Sequence, residues 1–284
     1  MPPNKRGIFT QGFIVQHAGL VFAIVAVGLL YSLYIRPKAE DLEISRQFLA
    51  RAGDESAEAM RRSFIVIIKD YEQQVCFTLM TWATILLTYR LWLVARERSM
   101  LDREYLPLGP GERILPEVAL DHHKEIRARL EHDATTRERL LPDFVLTALH
   151  RFHATHSIQD AAASIQERSQ LAADELESDL SLVRYIAWAI PSVGFIGTVR
   201  GIGDALAQAD KALQGDLTGV TNALGLAFNS TLIALLLSIV LMFMMHVLQS
   251  RQEHLIQDVQ QYCRNRIIDL MKVPAREDGS ASFV

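Results

Sequence analysis

The stretch WAIPSVGFIGTVRGIGDALAQ, residues 188–208, decides the fold of this chain. It is apolar enough to enter a membrane, yet it contains a proline, four glycines, a threonine, an arginine and an aspartate. Polar side chains in hydrocarbon are costly and need a partner or a water-filled cavity. The stretch therefore predicts a membrane helix that packs closely against other helices or lines a polar path.

Apolar and charged segments alternate along the rest of the chain. The 284 residues are 50 % hydrophobic and 22 % charged, which indicates segregation of the two kinds of side chain. A helix needs about 20 apolar residues to cross the hydrocarbon core. Four windows meet this length: 12–35, 75–94, 181–206 and 219–248. The predicted fold class is all-α, a polytopic membrane protein with four transmembrane helices extended by cytoplasmic helices.

The placement of lysine and arginine predicts the orientation of these spans. Basic residues concentrate before the first span, after the second and after the fourth, as expected for cytoplasmic segments. Residues 1–11, a helical region at 95–180 and a helical tail at 249–284 are therefore predicted to be cytoplasmic. Residues 36–74 and 207–218 are predicted to be extracytoplasmic loops. The helix before the third span is expected to run into it without interruption.

The third span carries small residues at helical spacing. Gly194, Gly197 and Gly201 lie on one face and allow another helix backbone to approach closely. Pro191 is expected to bend the helix one turn before them. Arg200 and Asp204 are four residues apart and are predicted to form an ion pair on one face.

Polar residues also cluster in two other spans. Asn229, Ser230 and Thr231 are consecutive in the fourth span and cannot all share one packing contact, so part of that helix is expected to face water or a polar partner. The second span contains four threonines, for which hydrogen bonds between helices are expected: Thr78, Thr81, Thr84 and Thr88.

Several classes of function are disfavoured. The chain has no phosphate-binding loop, HExxH motif or nucleophile elbow, and neither Cys76 nor Cys263 has metal-ligand spacing, so no enzyme activity, cofactor or metal is predicted. A net charge of −4 gives no reason to expect nucleic-acid binding. The four predicted windows contain no acid near a membrane midplane, so an ion-conducting complex would take its titrating group from another chain.

Two motifs carry a family resemblance. GFIGTVRGIGDAL, residues 194–206, resembles the signature G-[LF]-x-G-T-V-x-G-[IM] of the MotA/TolQ/ExbB proton-channel family. LGLAFNSTLIALLLSI, residues 224–239, resembles the last span of that family, with small residues and a central threonine. The resemblance covers about residues 174–270, and the four predicted spans match the flagellar stator branch.

The resemblance implies a function and a site. Thr198 and Thr231 match the hydroxyls that line the ion path of the family, with Ser230 and Asn229 beside them. In such complexes a pentamer surrounds two copies of a single-span ExbD/TolR/MotB-like partner, whose membrane aspartate binds the proton. Some ExbB-like members have a glutamate where this chain has Leu226.

The implied protein is a subunit of a motor driven by proton-motive force in the bacterial inner membrane. The transported ion would be H⁺ or Na⁺, and the load is not specified. An alternative is a non-conducting oligomeric scaffold that docks partners through its cytoplasmic helices.

Overall fold

The computed structural model describes residues 6–51, 64–102, 112–132 and 139–274. These residues are almost entirely helical and form no strand; a parallel bridge joins Ile114 to Met271. The helices are α1 (Arg6–Leu30), α2 (Arg36–Arg51), α3 (Phe64–Ile67), α4 (Tyr71–Arg98), α5 (Pro116–His132), α6 (Leu140–Thr155), α7 (Ile158–Ser178), α8 (Ser181–Leu206), α9 (Ala209–Leu213) and α10 (Thr218–Arg266). The predicted all-α fold class is confirmed.

Four helical segments are long and apolar enough to span a membrane, as predicted. They are Gly12–Ser45, Tyr71–Arg98, Ile158–Leu206 and Thr218–Leu270. Each extends beyond the apolar window that predicted it, because the helices continue into charged sequence. The segment predicted as the loop 36–74 contains α2, α3 and the first turn of α4, while its residues 52–63 lie outside the described part of the chain.

The chain divides into two compact units. The first comprises Met1–Arg90 and Leu180–Val247 and contains α1, α2, α3, α8 and the apolar parts of α4 and α10. A core cluster of Val27, Tyr31, Ile35, Ile68 and Ile233 joins α1, the segment after α3 and α10. The returning segment around α3 is therefore part of the packed interior of this unit.

A π-helical turn, Tyr31–Ile35, connects α1 to α2. The backbone N–H of Arg36 donates to the carbonyl of Tyr31, which is the wider spacing of a π turn. Pro37 follows at once, and a proline ring clashes with the carbonyl four residues before it in a regular α-helix. The wider turn accommodates this proline without ending the helix.

The second unit comprises Leu91–Asp179 and Leu248–Val284. Helix α6 packs against both α5 and α7, and its face with Phe144, Leu149 and Phe152 is fully buried. The turn between α6 and α7 has His156 in the left-handed conformation, φ 52°. Ser157 then caps α7 by accepting a hydrogen bond from the backbone N–H of Asp160 at 3.2 Å.

The helix expected to enter the third span without interruption is one helical segment, Ile158–Leu206, with a local irregularity in its hydrogen bonding. Helix α7 ends at Ser178 and α8 begins at Ser181. Asp179 and Leu180 between them keep right-handed helical dihedral angles, so the interruption is a local change in hydrogen bonding and not a loop.

Candidate ion path

The three predicted packing glycines of α8 are buried against α10. A Cβ atom at Gly201 would lie 2.7 Å from the Cβ of Ala227 and 2.9 Å from the carbonyl oxygen of Ala223. At Gly194 it would collide with Ala234. At Gly197 it would lie 2.5 Å from the hydroxyl of Ser230. The α8 and α10 backbones therefore approach one another as closely as small residues allow.

Pro191 influences the contact between α8 and α10 because it has no backbone N–H to donate within α8. Without an N–H, it leaves the carbonyl of Ala187, four residues earlier, without its helical donor. The hydroxyl of Ser238 on α10 donates to that carbonyl at 3.0 Å. Ser238 is buried, so the proline and the serine form a matched pair across the two helices.

Thr198 of α8 and Thr231 of α10 are brought together. Their hydroxyls are in contact, and the single proton of the Thr198 hydroxyl is donated either to the Thr231 hydroxyl oxygen or to the carbonyl of Ala227 at 3.1 Å. Thr231 donates to the carbonyl of Gly194 at 3.0 Å. Both threonines are only partly buried. The pair of hydroxyls thus lies at one edge of the α8–α10 contact, where it is accessible from outside the pair of helices.

The other two predicted path residues separate onto different faces. Ser230 is buried, donates to the carbonyl of Ala227 at 2.8 Å and faces Gly197. Asn229 is two residues from Thr231, about 200° round the helix, so it does not share the hydroxyl face. The structure therefore groups Thr198, Thr231 and Ser230 and leaves Asn229 apart.

Arg200 does not pair with Asp204, contrary to the prediction from their spacing. One guanidinium nitrogen of Arg200 lies 3.0 Å from a carboxylate oxygen of Glu72, which belongs to α4. The contact is an ion pair without hydrogen-bond alignment, because this buried oxygen has no hydrogen-bond partner among the described residues. Asp204 is exposed. Arg200 pairs with Glu72 and not with Asp204, because α4 places the more deeply buried carboxylate of Glu72 beside the Arg200 guanidinium.

Glu72 is the polar residue of this region that the sequence analysis did not identify. Its side chain is only 11 % exposed and its Cγ would lie 3.2 Å from a Cβ on Gly197. The apolar window placed the start of the second span at residue 75, which left Glu72 in a loop. A signal was present, because Glu72 lies three residues before the apolar run that begins at Val75, and helices favour an acid in their first turn.

The threonines of α4 form different hydrogen bonds from those expected. Thr78, Thr81, Thr84 and Thr88 each donate to the carbonyl four residues earlier in α4, at 2.7–2.8 Å. The expectation of hydrogen bonds between helices was wrong for this set, because an acceptor within the same helix is always within reach of a threonine hydroxyl. A hydrogen bond from α4 to α1 is donated by Trp82 instead, whose indole N–H donates to the carbonyl of Gln16 at 2.9 Å.

Among the described residues, no group of three or more His, Cys, Asp or Glu side chains has the geometry to hold a metal ion. The polar groups at the α8–α10 contact are instead hydroxyls and backbone carbonyls, with the Glu72–Arg200 carboxylate–guanidinium pair beside them. Such groups can bind water or hold a proton, and hydroxyls can contact a carboxylate on another chain.

Comparison with known families supports the resemblance of the two motifs. Residues 136–261 match the model that describes the MotA/TolQ/ExbB proton channel family. This range begins earlier than the predicted 174–270 and contains α7, α8 and most of α10. No curated protein and no solved structure matches the chain.

Proposed function

We propose that this chain, whose residues 136–261 match the model of the MotA/TolQ/ExbB proton channel family, is the ion-channel subunit of a membrane motor driven by proton-motive force. Five copies surround two copies of a single-span partner, whose membrane aspartate carries the proton. This chain performs no covalent chemistry. Its α8 and α10 helices line the path, with both termini on the cytoplasmic side of a bacterial inner membrane.

The observation that carries the proposal is the Thr198–Thr231 pair at the edge of the α8–α10 contact. A hydroxyl both donates and accepts hydrogen bonds, so it can contact a carboxylate in either protonation state. Each elementary charge that crosses the membrane supplies about 2.3 kcal/mol per 100 mV. If a polar contact bound the proton more strongly than this energy, the proton would not be released. The hydroxyl contacts along the path must therefore be weak enough for the proton to leave them.

A second candidate function is a non-conducting scaffold. It is favoured by the hydrogen bonds from Thr198 to Ala227 and from Thr231 to Gly194, which occupy both hydroxyls within one chain. Hydroxyls that only join α8 to α10 would make these same bonds. The two functions differ in whether the hydroxyls are needed for ion flow or only for assembly.

The test combines composition with ion flow. Native mass spectrometry of the complex from its own cells is expected to give five copies of this chain with two of a small single-span protein. Proteoliposomes are expected to take up protons under an applied membrane potential, and the double variant Thr198→Val, Thr231→Val to lose this uptake while keeping its subunit composition. Thr84→Val is the matched control, because the Thr84 hydroxyl bonds only within α4.

Two results would contradict the proposal. A homo-oligomer without a partner and without ion uptake would favour the scaffold. Full proton uptake by the double valine variant would exclude both hydroxyls from the path. Uptake that requires sodium rather than a pH gradient would identify Na⁺ as the driving ion.

A further inference from the structure

Glu72 lies at the depth of the candidate path. Its stem packs over Gly197, which is about 13 Å along α8 from the last residue of that helix. Its carboxylate faces Arg200 at 3.0 Å, in a geometry that is not an aligned hydrogen bond.

Other buried oxygens lie in the same part of the first unit. In the described part of the chain, the Tyr31 hydroxyl, one carboxylate oxygen of Asp70 and the amide oxygen of Gln73 are buried without a hydrogen-bond partner, as is that of Glu72. Tyr31 and Gln73 are 1 % and 0 % exposed. Asp70 lies within electrostatic range of Glu72 and Arg200, and also of the Tyr31 hydroxyl.

Buried polar groups of this kind are normally satisfied by protein or by ordered water. Four oxygens from one short stretch and one neighbouring helix can hold bound water, since each water needs two to four polar partners. A carboxylate among them can exchange a proton with that water.

We propose that Glu72 is a proton-binding residue of the ion path, which exchanges its proton with water held by Tyr31, Asp70 and Gln73. This inference rests on the proposed channel function and adds to it a titratable group on this chain. The carboxylate takes a proton from water and becomes neutral, then returns it to water on the side of the partner's carboxylate. No other bond forms or breaks.

The charges around Glu72 permit this cycle. In the ionised state Glu72 neutralises Arg200 of α8. In the protonated state Arg200 keeps its charge and is faced by Asp70. Lys69 is paired with Glu43 of α2, and Arg36 donates to Gln74 at 2.6 Å. From α10 the uncharged Ser230 packs beside the Glu72 stem at Gly197.

The test uses the complete complex and four variants: Glu72→Gln, Arg200→Gln, the two together, and Glu40→Gln as a control. Glu40 is an exposed carboxylate of α2 outside the buried group. Infrared titration of the purified complex measures the carbonyl band of protonated carboxyl groups. Proton uptake by proteoliposomes and the thermal unfolding temperature are measured on the same preparations.

Wild type is expected to show a pH-dependent carboxyl band that Glu72→Gln reduces by the part that Glu72 contributes and that Glu40→Gln leaves unchanged. Arg200→Gln should keep the part of the band that Glu72 contributes, because the carboxyl group is still present. Glu72→Gln should reduce proton uptake at least about a hundredfold, because a positioned acid–base group typically contributes about 10²–10⁴-fold. The double variant should regain thermal stability without regaining uptake.

The outcomes separate this inference from the channel proposal. Full uptake by the double variant would make Glu72 and Arg200 a structural pair and overturn the inference, while the channel function stands. An unchanged carboxyl band in Glu72→Gln would also overturn it. A wild-type complex that shows the Glu72 band but takes up no protons would overturn the channel function while supporting proton binding at Glu72.

Discussion

At the scale of single residues, glycines in α8 differ sharply in what surrounds them. Gly194 and Gly201 have α10 atoms where a Cβ would be, whereas nothing lies within 4 Å of such an atom at Gly203. We expect Gly194→Ala and Gly201→Ala each to destabilise the complex by about 1–3 kcal/mol through overpacking. Gly203→Ala should be neutral or stabilising, because alanine is the better helix former. Thermal unfolding in detergent measures the difference.

The three variants make the same chemical change within one helix, so differences in helix propensity cancel. Equal unfolding temperatures for all three would mean that α8 and α10 are less closely packed than the structure shows. The ranking therefore tests the contact that positions Thr198 against Thr231.

Pro191 and Ser238 give a second prediction at this scale. Ser238→Ala should cost about 1–3 kcal/mol, because it leaves the buried Ala187 carbonyl without a donor. In a Pro191→Ala background, the new N–H of residue 191 satisfies that carbonyl, so the same serine substitution should cost less. A double-mutant cycle of unfolding free energies measures this coupling.

Ser192→Ala is the control for that cycle. The Ser192 hydroxyl is exposed and bonds to the carbonyl of Trp188 in its own helix at 2.9 Å. Additive effects of Pro191→Ala and Ser238→Ala would show that the serine does not compensate for the proline.

At the scale of helices, local sequence predicted the existence of the spans better than their contacts. Apolar windows located four membrane helices because length and hydropathy are properties of contiguous residues. The partner of Arg200 was missed because Glu72 is on another helix. The rule that residues four apart can pair applies only within one helix. The threonines of α4 were misassigned for the opposite reason, since their acceptors are local.

The candidate site was predicted in part. Thr198 and Thr231 were chosen from motifs and lie in contact, and Ser230 is beside them. Asn229 was grouped with them because it is adjacent in sequence, but adjacent residues of a helix are about 100° apart. Which face of α10 meets α8 is determined by Ala227 and Ala234 opposite the glycines, and that choice is a tertiary one.

The pairing of α5 with α6 makes a prediction about pH. Burial lowers the pKa of His123, and His150, whose ring lies 5.7 Å away, and Arg127 lower it further. Since the unfolded chain binds the proton more readily, acidification favours unfolding; stability is present above the ordinary histidine pKa of about 6.5 and is lost as pH falls toward the lowered one. We expect His123→Gln to reduce the fall in unfolding temperature between pH 7 and 5 by about 1–2 °C.

His254→Gln is the matched control, because this histidine is exposed on α10. Unfolding is followed by circular dichroism at both pH values. A His123→Gln variant with the same pH dependence as wild type would assign the acid sensitivity to other groups.

At the scale of the whole molecule, the matched region and the rest of the chain have different parts in the candidate path. Residues 136–261 contain the two hydroxyls and the glycines, whereas Glu72, Tyr31 and Gln73 come from outside this range. The matched range therefore contains α8 and most of α10 but not the buried carboxylate of α4 beside them. The acid that we propose as a proton-binding residue lies outside the range that the family model covers.

Hydrogen bonds between segments that are distant in sequence also join the two ends of the second unit. The segment before α5 meets the segment after α10 through hydrogen bonds from Ile114 to Leu270 at 2.8 Å and from Lys272 to Ile114 at 2.9 Å. Arg113 adds a bond to the carbonyl of Asp269 at 2.7 Å. These three bonds join residues more than 150 positions apart, so they act on the unit as a whole.

A pair of truncations tests this closure. Ending the chain after Ile267 removes the three bonds and should weaken the second unit by about 2–4 kcal/mol, since each bond contributes about 0.5–1.5 kcal/mol. Ending it after Pro274 retains them. Hydrogen exchange at the amide of Ile114 should be at least about tenfold faster in the shorter form, because local opening exposes it. Equal exchange in both truncated forms would mean that α5 is held by its packing against α6 alone, and that the bridge from Ile114 to Met271 follows from this packing instead of reinforcing it.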